Sequence, residues 1–431
     1  MINFAGKRRR AGLAGLAVLL GVAAVVLTSC NYGHRPFQQK PLQPMHDLSN
    51  VDVEMDDFGN FWDRKKAESI LNAIDDSAAN SNVVVLLFVH GWHHNAADDD
   101  TNRNDFHITV KAVDDTLKEK IYQDARTTLK IGGNVKVVGV YLSWRGESLP
   151  GFLDYSTFWG RKAAAERVGD GAAREFIFRL NEIYKKRNQS DQQHFMGLVS
   201  IGHSFGGQVL YKSVAASLED NFLLHEGQPA QMPVAGVGDV TVLINPAFEA
   251  AQFNRLRALQ SRYTYSPAQT PVLLVFSGEG DWARQWFFPV GRRISAWFRP
   301  AFSSDEKKAE WITALGEYEP QRTHSLKLQP NTASYEFSKD YCRQALDFDL
   351  TNPGVPFADA TLAALPGRSK QFSPVLVAYS ENELIEAHNG IFKGDFRRFL
   401  IDYVALLEGK RLCLKAQSYS PSIVGGYGPT Y

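Results

Sequence analysis

Val83 to Val89 is an unbroken apolar run, Val-Val-Val-Leu-Leu-Phe-Val, with four β-branched residues. A strand with one wet face alternates polar and apolar residues. One that is apolar at every position is buried on both faces and belongs to a parallel sheet covered by helices above and below. The rest of the chain supplies the partners. Val51 to Met55 reads as a strand, Asp57-Phe58-Gly59 as a turn, and the stretch ending near Ile74 as an amphipathic helix. A helix is expected from about Asn104 to Leu129, then a strand from Val135 to Leu142 after the Gly132-Gly133 break. A long helix from about Ala163 to Lys186 carries Phe176, Leu180 and Ile183 at helical spacing. Further strands are expected at Phe195–Ile201, Val240–Ile244, Val272–Phe276 and Val375–Ala378, closed by a helix from about Phe396 to Leu407. Strands alternating with helices are βαβ units, hence an α/β fold with a mostly parallel sheet. Reactive groups in such sheets collect beyond the carboxyl ends of the strands.

About 90 residues from Trp282 to Phe372 lack sheet patterning and read as an insertion over the sheet's edge or over a cleft. They open with Trp282, Trp286, Phe287, Phe288 and Trp297 interleaved with Arg284, Arg292, Arg293 and Arg299. Such a stretch suits a lid or a membrane-facing surface; packing beneath the insertion is the plainer account.

Forty-seven basic residues balance 47 acidic ones, which argues against a nucleic-acid partner. The first 29 residues contribute Lys7, Arg8, Arg9 and Arg10 and no acid, so the remainder carries a net charge of −4. Those four cations precede an uncharged stretch from Ala11 to Leu27, the two leading parts of an export signal. It runs into Leu27-Thr28-Ser29-Cys30, which resembles the lipobox of bacterial lipoproteins. That resemblance implies cleavage before Cys30, acylation of its thiol, and anchoring in the cell envelope; Asn31 favours an outer membrane where there is one. Residues 31–50, with Pro36, Pro41 and Pro44, read as a tether, residues 51–417 as the globular domain and 418–431 as a tail. The alternative for the leader is an uncleaved transmembrane anchor, for which 17 residues is short. In an oxidising envelope Cys342 and Cys413 have the option of pairing, although two buried free thiols are the favoured reading.

Gly202-His203-Ser204-Phe205-Gly206 is the chain's one G-x-S-x-G. The pentapeptide is weak by itself, and its context carries it: a strand precedes it and a helix opens at Gly206. A serine there projects its hydroxyl from the sheet beside a helix N-terminus, where negative charge is favoured. His90-Gly91-Trp92 ends the earlier buried strand. The alternative for that loop is a metal cluster of His90, His93 and His94 with Asp98, Asp99 and Asp100, but these crowd one loop without zinc spacing. Asp98, Asp100 and Asn102 graze a calcium loop that lacks its Gly and terminal Glu.

Strand, His-Gly-Trp, strand, Gly-His-Ser-Phe-Gly, helix, then acid and histidine resembles the α/β-hydrolase superfamily, closest to its serine esterases and lipases. The likeness spans about residues 82–407, broken by the insertion before the last strand. It implies Ser204 as nucleophile, Asp281 as acid after strand Val272–Phe276, and His388 as base on the loop after the last strand. The backbone N–H groups of Trp92 and Phe205 become the oxyanion hole. Glu279 and Glu249 are the other acids in position, and His324 and His225 the other histidines. Ser143-Trp144-Arg145 and His203 also face the expected cleft, with packing or loop support the preferred role. The expected activity is cleavage of small-molecule or lipid esters through an acyl-enzyme, with no metal or organic cofactor. Peptidases, thioesterases and acyltransferases use the same triad, and an inactive envelope scaffold on this fold is a further alternative.

Overall fold

A computed structural model describes residues 36–38, 48–119, 123, 134–148, 154, 157–190, 194–226, 232–279, 302–329, 341–354, 356–381, 383–385, 388, 390–392 and 394–419. Its strands are β1 (Asn50–Glu54), β2 (Asn82–Val89), β3 (Val135–Ser143), β4 (Met196–His203), β5 (Val240–Ile244), β6 (Leu273–Gly278), β7 (His324–Leu328), β8 (Pro356–Phe357), β9 (Ala360–Ala364) and β10 (Val375–Ser380). They form one sheet in the order β1-β3-β2-β4-β5-β6-β10-β7-β9-β8. From β1 through β10 to β7 every pairing is parallel; β9 runs antiparallel to both β7 and β8.

The helices are α1 (Arg64–Asn80), α2 (Thr101–Leu117), α3 (Phe158–Asp170), α4 (Ala172–Ser190), α5 (Phe205–His225), α6 (Asn254–Gln260), α7 (Asp305–Ile312), α8 (Tyr341–Asp347) and α9 (Gly394–Tyr419). Asp63 and Asp100 start α1 and α2 by accepting the Lys66 and Arg103 amides on their side chains. All of β2 is buried. Val83, Val85, Leu87 and Val89 enter one core with α1, α3, α4 and α5; Val84, Leu86 and Phe88 enter the other with α2, α8 and α9. The fold is α/β, with helices on both faces of a mostly parallel sheet. No described helix is long and apolar enough to cross a membrane.

Four expectations need correction. The helix drawn from 163 to 186 is two helices, broken at Gly171. There the Gly59 carbonyl accepts the Ala172 amide at 2.7 Å, and a Cβ on Gly171 would stand 2.3 Å from that oxygen. The first turn of the sheet thus docks into the break. Second, α2 stops at Leu117, where Lys118 caps it. Third, the insertion adds strands β7, β9 and β8 beyond β10, because the alternating burial of His324–Leu328 suits a sheet margin. Fourth, Cys342 and Cys413 form a disulfide that joins α8 to α9. The last helix also extends to Tyr419. Lys410, in its later part, is buried and donates to the carbonyls of Leu346 and Phe348.

The leader, Cys30 and the aromatic stretch 282–301 lie outside the described residues. Within the expected tether, the amides of Phe37 and Gln38 both donate to the Glu54 carboxylate, at 2.8 and 2.7 Å.

Candidate active site

At the end of β4 the backbone turns sharply into α5 through Ser204, whose φ of 56° and ψ of −122° are costly for a residue with a Cβ. Glycines make the turn possible. A Cβ on Gly202 would lie 2.7 Å from the Gly206 carbonyl, and one on Gly206 only 2.1 Å from the Val89 carbonyl. Neighbouring strands hold the turn: the Ser204 amide donates to the Ile244 carbonyl at 3.1 Å, and the Ser204 carbonyl accepts from the Ala247 amide at 3.1 Å. Ser204 itself is buried.

His388 follows β10, and its Nε2 lies 2.8 Å from the Ser204 Oγ. With neutral imidazole, the hydroxyl donates to that nitrogen. The backbone of His388 is also tied down. Its carbonyl accepts from the His203 Nε2 at 2.8 Å and from the Asn245 amide nitrogen at 3.1 Å. Asn245 in turn accepts the Gly278 amide on its Oδ1 at 2.9 Å, and its own N–H reaches the Phe276 carbonyl at 2.8 Å. It sits at φ 48°, a conformation that asparagine tolerates better than most residues. Together His203 and Asn245 connect the ends of β4, β5 and β6 to the loop carrying His388. His203 therefore supports that loop, the role preferred for it on sequence grounds.

The loop after β2 closes against the serine: a Cβ on Gly91 would stand 2.8 Å from the Ser204 Cβ. Trp92 is half-buried, with its ring 6.1 Å from that of Phe205, and Phe158 packs on both at 5.2 and 5.1 Å. The Phe205 N–H belongs to the first turn of α5, where an amide has no partner within the helix. His90 anchors the loop from beneath. Its Nε2 accepts the Trp144 amide at 3.2 Å and lies 2.9 Å from the Ser143 Oγ, while Nδ1 lies 2.9 Å from the Gly91 carbonyl. Burial holds its pKa down at about 4, so this ring is neutral. Trp144 returns a bond from its indole N–H to the His90 carbonyl at 3.0 Å. Ser143 and Trp144 are therefore loop supports, while Arg145 approaches Asp57 at 3.5 Å.

His93, at φ 69°, stacks on Trp92 with centroids 4.0 Å apart, and its Nδ1 meets the buried Asp154 at 2.7 Å. Asp154 also accepts the Ser148 amide at 2.8 Å and the Thr157 hydroxyl at 2.9 Å. His94 pairs with Asp100 at 3.2 Å. Among the described residues, no group of three or more His, Cys, Asp or Glu side chains is disposed to hold a metal.

Asp281 lies outside the described residues. Glu279 is exposed at the end of β6, its amide bonded to the Ser380 carbonyl at 2.8 Å. Glu249 is buried in an ion pair with Lys162 at 3.2 Å and accepts from Gln252 at 2.6 Å. His324 is a core residue of β7: its Nε2 meets the Thr351 carbonyl at 2.6 Å and its Nδ1 the Thr323 hydroxyl at 2.8 Å. Burial keeps its pKa at about 4. His225 is buried at the end of α5 and packs against Tyr263 and Tyr265. Sequence reading missed Asn245 and the His93–Asp154 pair. For Asn245 the signal was an asparagine between an apolar strand and a proline; for Asp154, 61 positions from His93, there was none.

Compared with known proteins, the chain matches no family model and no curated protein.

Proposed function

We propose that the protein is a serine hydrolase of the α/β-hydrolase type, anchored to the cell envelope by a lipid on Cys30, that cleaves carboxylic esters. One observation carries the reading: a serine hydroxyl on a strained strand-to-helix turn, 2.8 Å from an imidazole nitrogen supplied by a loop 184 residues away. A hydroxyl is a poor nucleophile until a base takes its proton, and Nε2 is within reach to do so. Ser204 Oγ attacks the ester carbonyl as its proton passes to His388. The backbone N–H groups of Trp92 and Phe205 receive the developing oxyanion. Losing one such donor typically costs about 3–4 kcal/mol in the transition state. The C–O bond to the alcohol then breaks, and the alcohol leaves with the proton from His388. Water, deprotonated by the same imidazole, hydrolyses the acyl-serine and returns Ser204 to its starting state. Asp281 is assigned the acid's place, orienting His388 and stabilising its cation.

The experiment is labelling with a fluorophosphonate probe beside turnover of p-nitrophenyl esters. Wild-type protein is expected to react at Ser204 and to turn over, and Ser204→Ala to do neither. Unchanged hydrolysis by that variant overturns the assignment. A wild-type protein that neither labels nor turns over identifies an inactive scaffold.

A further inference from the structure

We infer that an aromatic rim of Phe37, Phe58, Trp62 and Trp159 is a membrane-docking surface that turns the mouth of the Ser204 site toward the lipid headgroups. This rests on the lipid-anchored hydrolase reading above. Isolated exposed apolar side chains are ordinary; four exposed aromatics on linked segments beside a candidate site are not. Phe37, Trp62 and Trp159 are 38%, 39% and 40% exposed, and Phe58 is 78% exposed.

Hydrogen bonds and an ion pair tie the segments that carry the four to one another and, through α3, to the serine turn. Glu54, the last residue of β1, accepts the Phe37 and Gln38 amides on its carboxylate and the Trp62 amide on its carbonyl, the last at 3.0 Å. Phe58 stands at the tip of the intervening turn, where the Asp56 carboxylate accepts its amide at 2.9 Å. The adjacent Asp57 binds Arg161 of α3 through both oxygens at 2.7 Å. That helix begins with Phe158, which packs on Trp92 and Phe205, and with Trp159 beside it. The rim thus borders the carboxyl ends of β1, β2 and β3, the same edge of the sheet that holds Ser204.

Chain length supplies the occupant. Cys30 lies seven residues before Phe37. At about 3.5 Å per residue, a lipid on Cys30 holds Phe37 within about 25 Å of the bilayer. A globule of this size is about 50 Å across, so the edge where the tether docks is the one held near the membrane. Gln38 fixes that exit point further, donating to the Ala96 carbonyl and to Asp98, each at 2.8 Å. Tryptophan suits the place, with an apolar ring and one polar N–H matched to headgroup depth. The ester this site would take is one presented at the bilayer surface rather than one dissolved in water.

The test uses full-length protein, purified with its lipid and reconstituted into phosphatidylethanolamine–phosphatidylglycerol vesicles with brominated acyl chains. Bromine quenches tryptophans that reach the headgroup boundary. Wild-type fluorescence is expected to be quenched, and the W62F/W159F variant to lose about half or more of the quenched amplitude. Equal quenching in that variant, or none in wild type, overturns the proposal and leaves the rim to a protein partner or to solvent. Replacing Phe58, Trp62 and Trp159 with Ser is expected to lower turnover of vesicle-embedded esters several-fold and to leave that of a soluble short-chain ester unchanged. Equal loss on both overturns it as well. Ser204→Ala is expected to keep the full quenching. Quenching without any ester turnover in wild type therefore sinks the hydrolase reading and leaves the docking face standing.

Discussion

The two ends of the central strands are built on opposite terms. At the carboxyl ends of β4 and β5 the backbone is strained and crowded, with Ser204 and Asn245 at positive φ and glycines at 91, 202 and 206 where a Cβ would collide. At the amino ends, β4 and β5 meet around engaged buried charge. Asp239 accepts the Leu198 amide and the Tyr184 hydroxyl, each at 2.5 Å, and pairs with Arg411 of α9 at 3.0 Å. Beside it, burial first and the Asp239 charge second raise the Glu408 carboxyl well above the usual carboxylate range. One end stores strain around a hydroxyl held 2.8 Å from an imidazole nitrogen. The other pairs Asp239 with Arg411 and so binds α9 to the sheet. Strain at a site is tolerated only where the rest of the structure over-determines it, and the amino ends supply part of that determination.

The largest expected effect tests the reactive end alone. Ser204→Ala should lower ester turnover by about three orders of magnitude or more while leaving the thermal midpoint within a few degrees. A collapse of stability in that variant would mean that the serine is structural and that the contrast is false. Next come two glycine substitutions that set one end against the other. Gly206→Ala should cost more than about 4 kcal/mol in urea unfolding, since backbone carbonyls stand in the way. Gly197→Ala, near the Asp239 cluster, meets nothing closer than a Val84 methyl at 3.3 Å and should cost about 1 kcal/mol or less.

A third test uses acid. His90 and His324 are held near pKa 4 by burial, below the 6.5 of an unfolded histidine. Their contribution is complete above pH 6.5 and is lost as pH falls toward 4, at about 1.4 kcal/mol per unit for each ring. His324→Asn should therefore make the pH dependence of urea unfolding shallower by one proton over that window; an unchanged slope rejects a neutral buried ring. The smallest effect is Ser204→Gly, which relieves the positive φ and should raise stability by about 1 kcal/mol while abolishing turnover. No gain would show that the turn is not strained.

Much of the reactive end was legible in the chain. β2 declared its two-sided burial by being apolar throughout, the glycines around Ser204 marked a turn with no room for side chains, and the histidine picked out after the last strand is one that the structure brings to 2.8 Å from the Ser204 hydroxyl. What stayed hidden depends on partners distant in sequence. The break at Gly171 exists because a carbonyl 112 positions earlier occupies that space. The length of α9 was underestimated because Lys410 and Arg411 look like a solvated face until the carbonyls and Asp239 that receive them are known. Two cysteines 71 positions apart give no sign of meeting until α8 is laid against α9. The β7 strand was missed because its alternation is short and its partner, β10, comes later in the chain.

Asn245 and His203 have a further consequence. Because they clamp the His388 carbonyl, the position of this residue is referred to the ends of β4 and β5 and not to the length of chain that delivers it. Its place beside Ser204 is set by two side chains at strand ends, which give a residue outside regular secondary structure the fixity of the sheet.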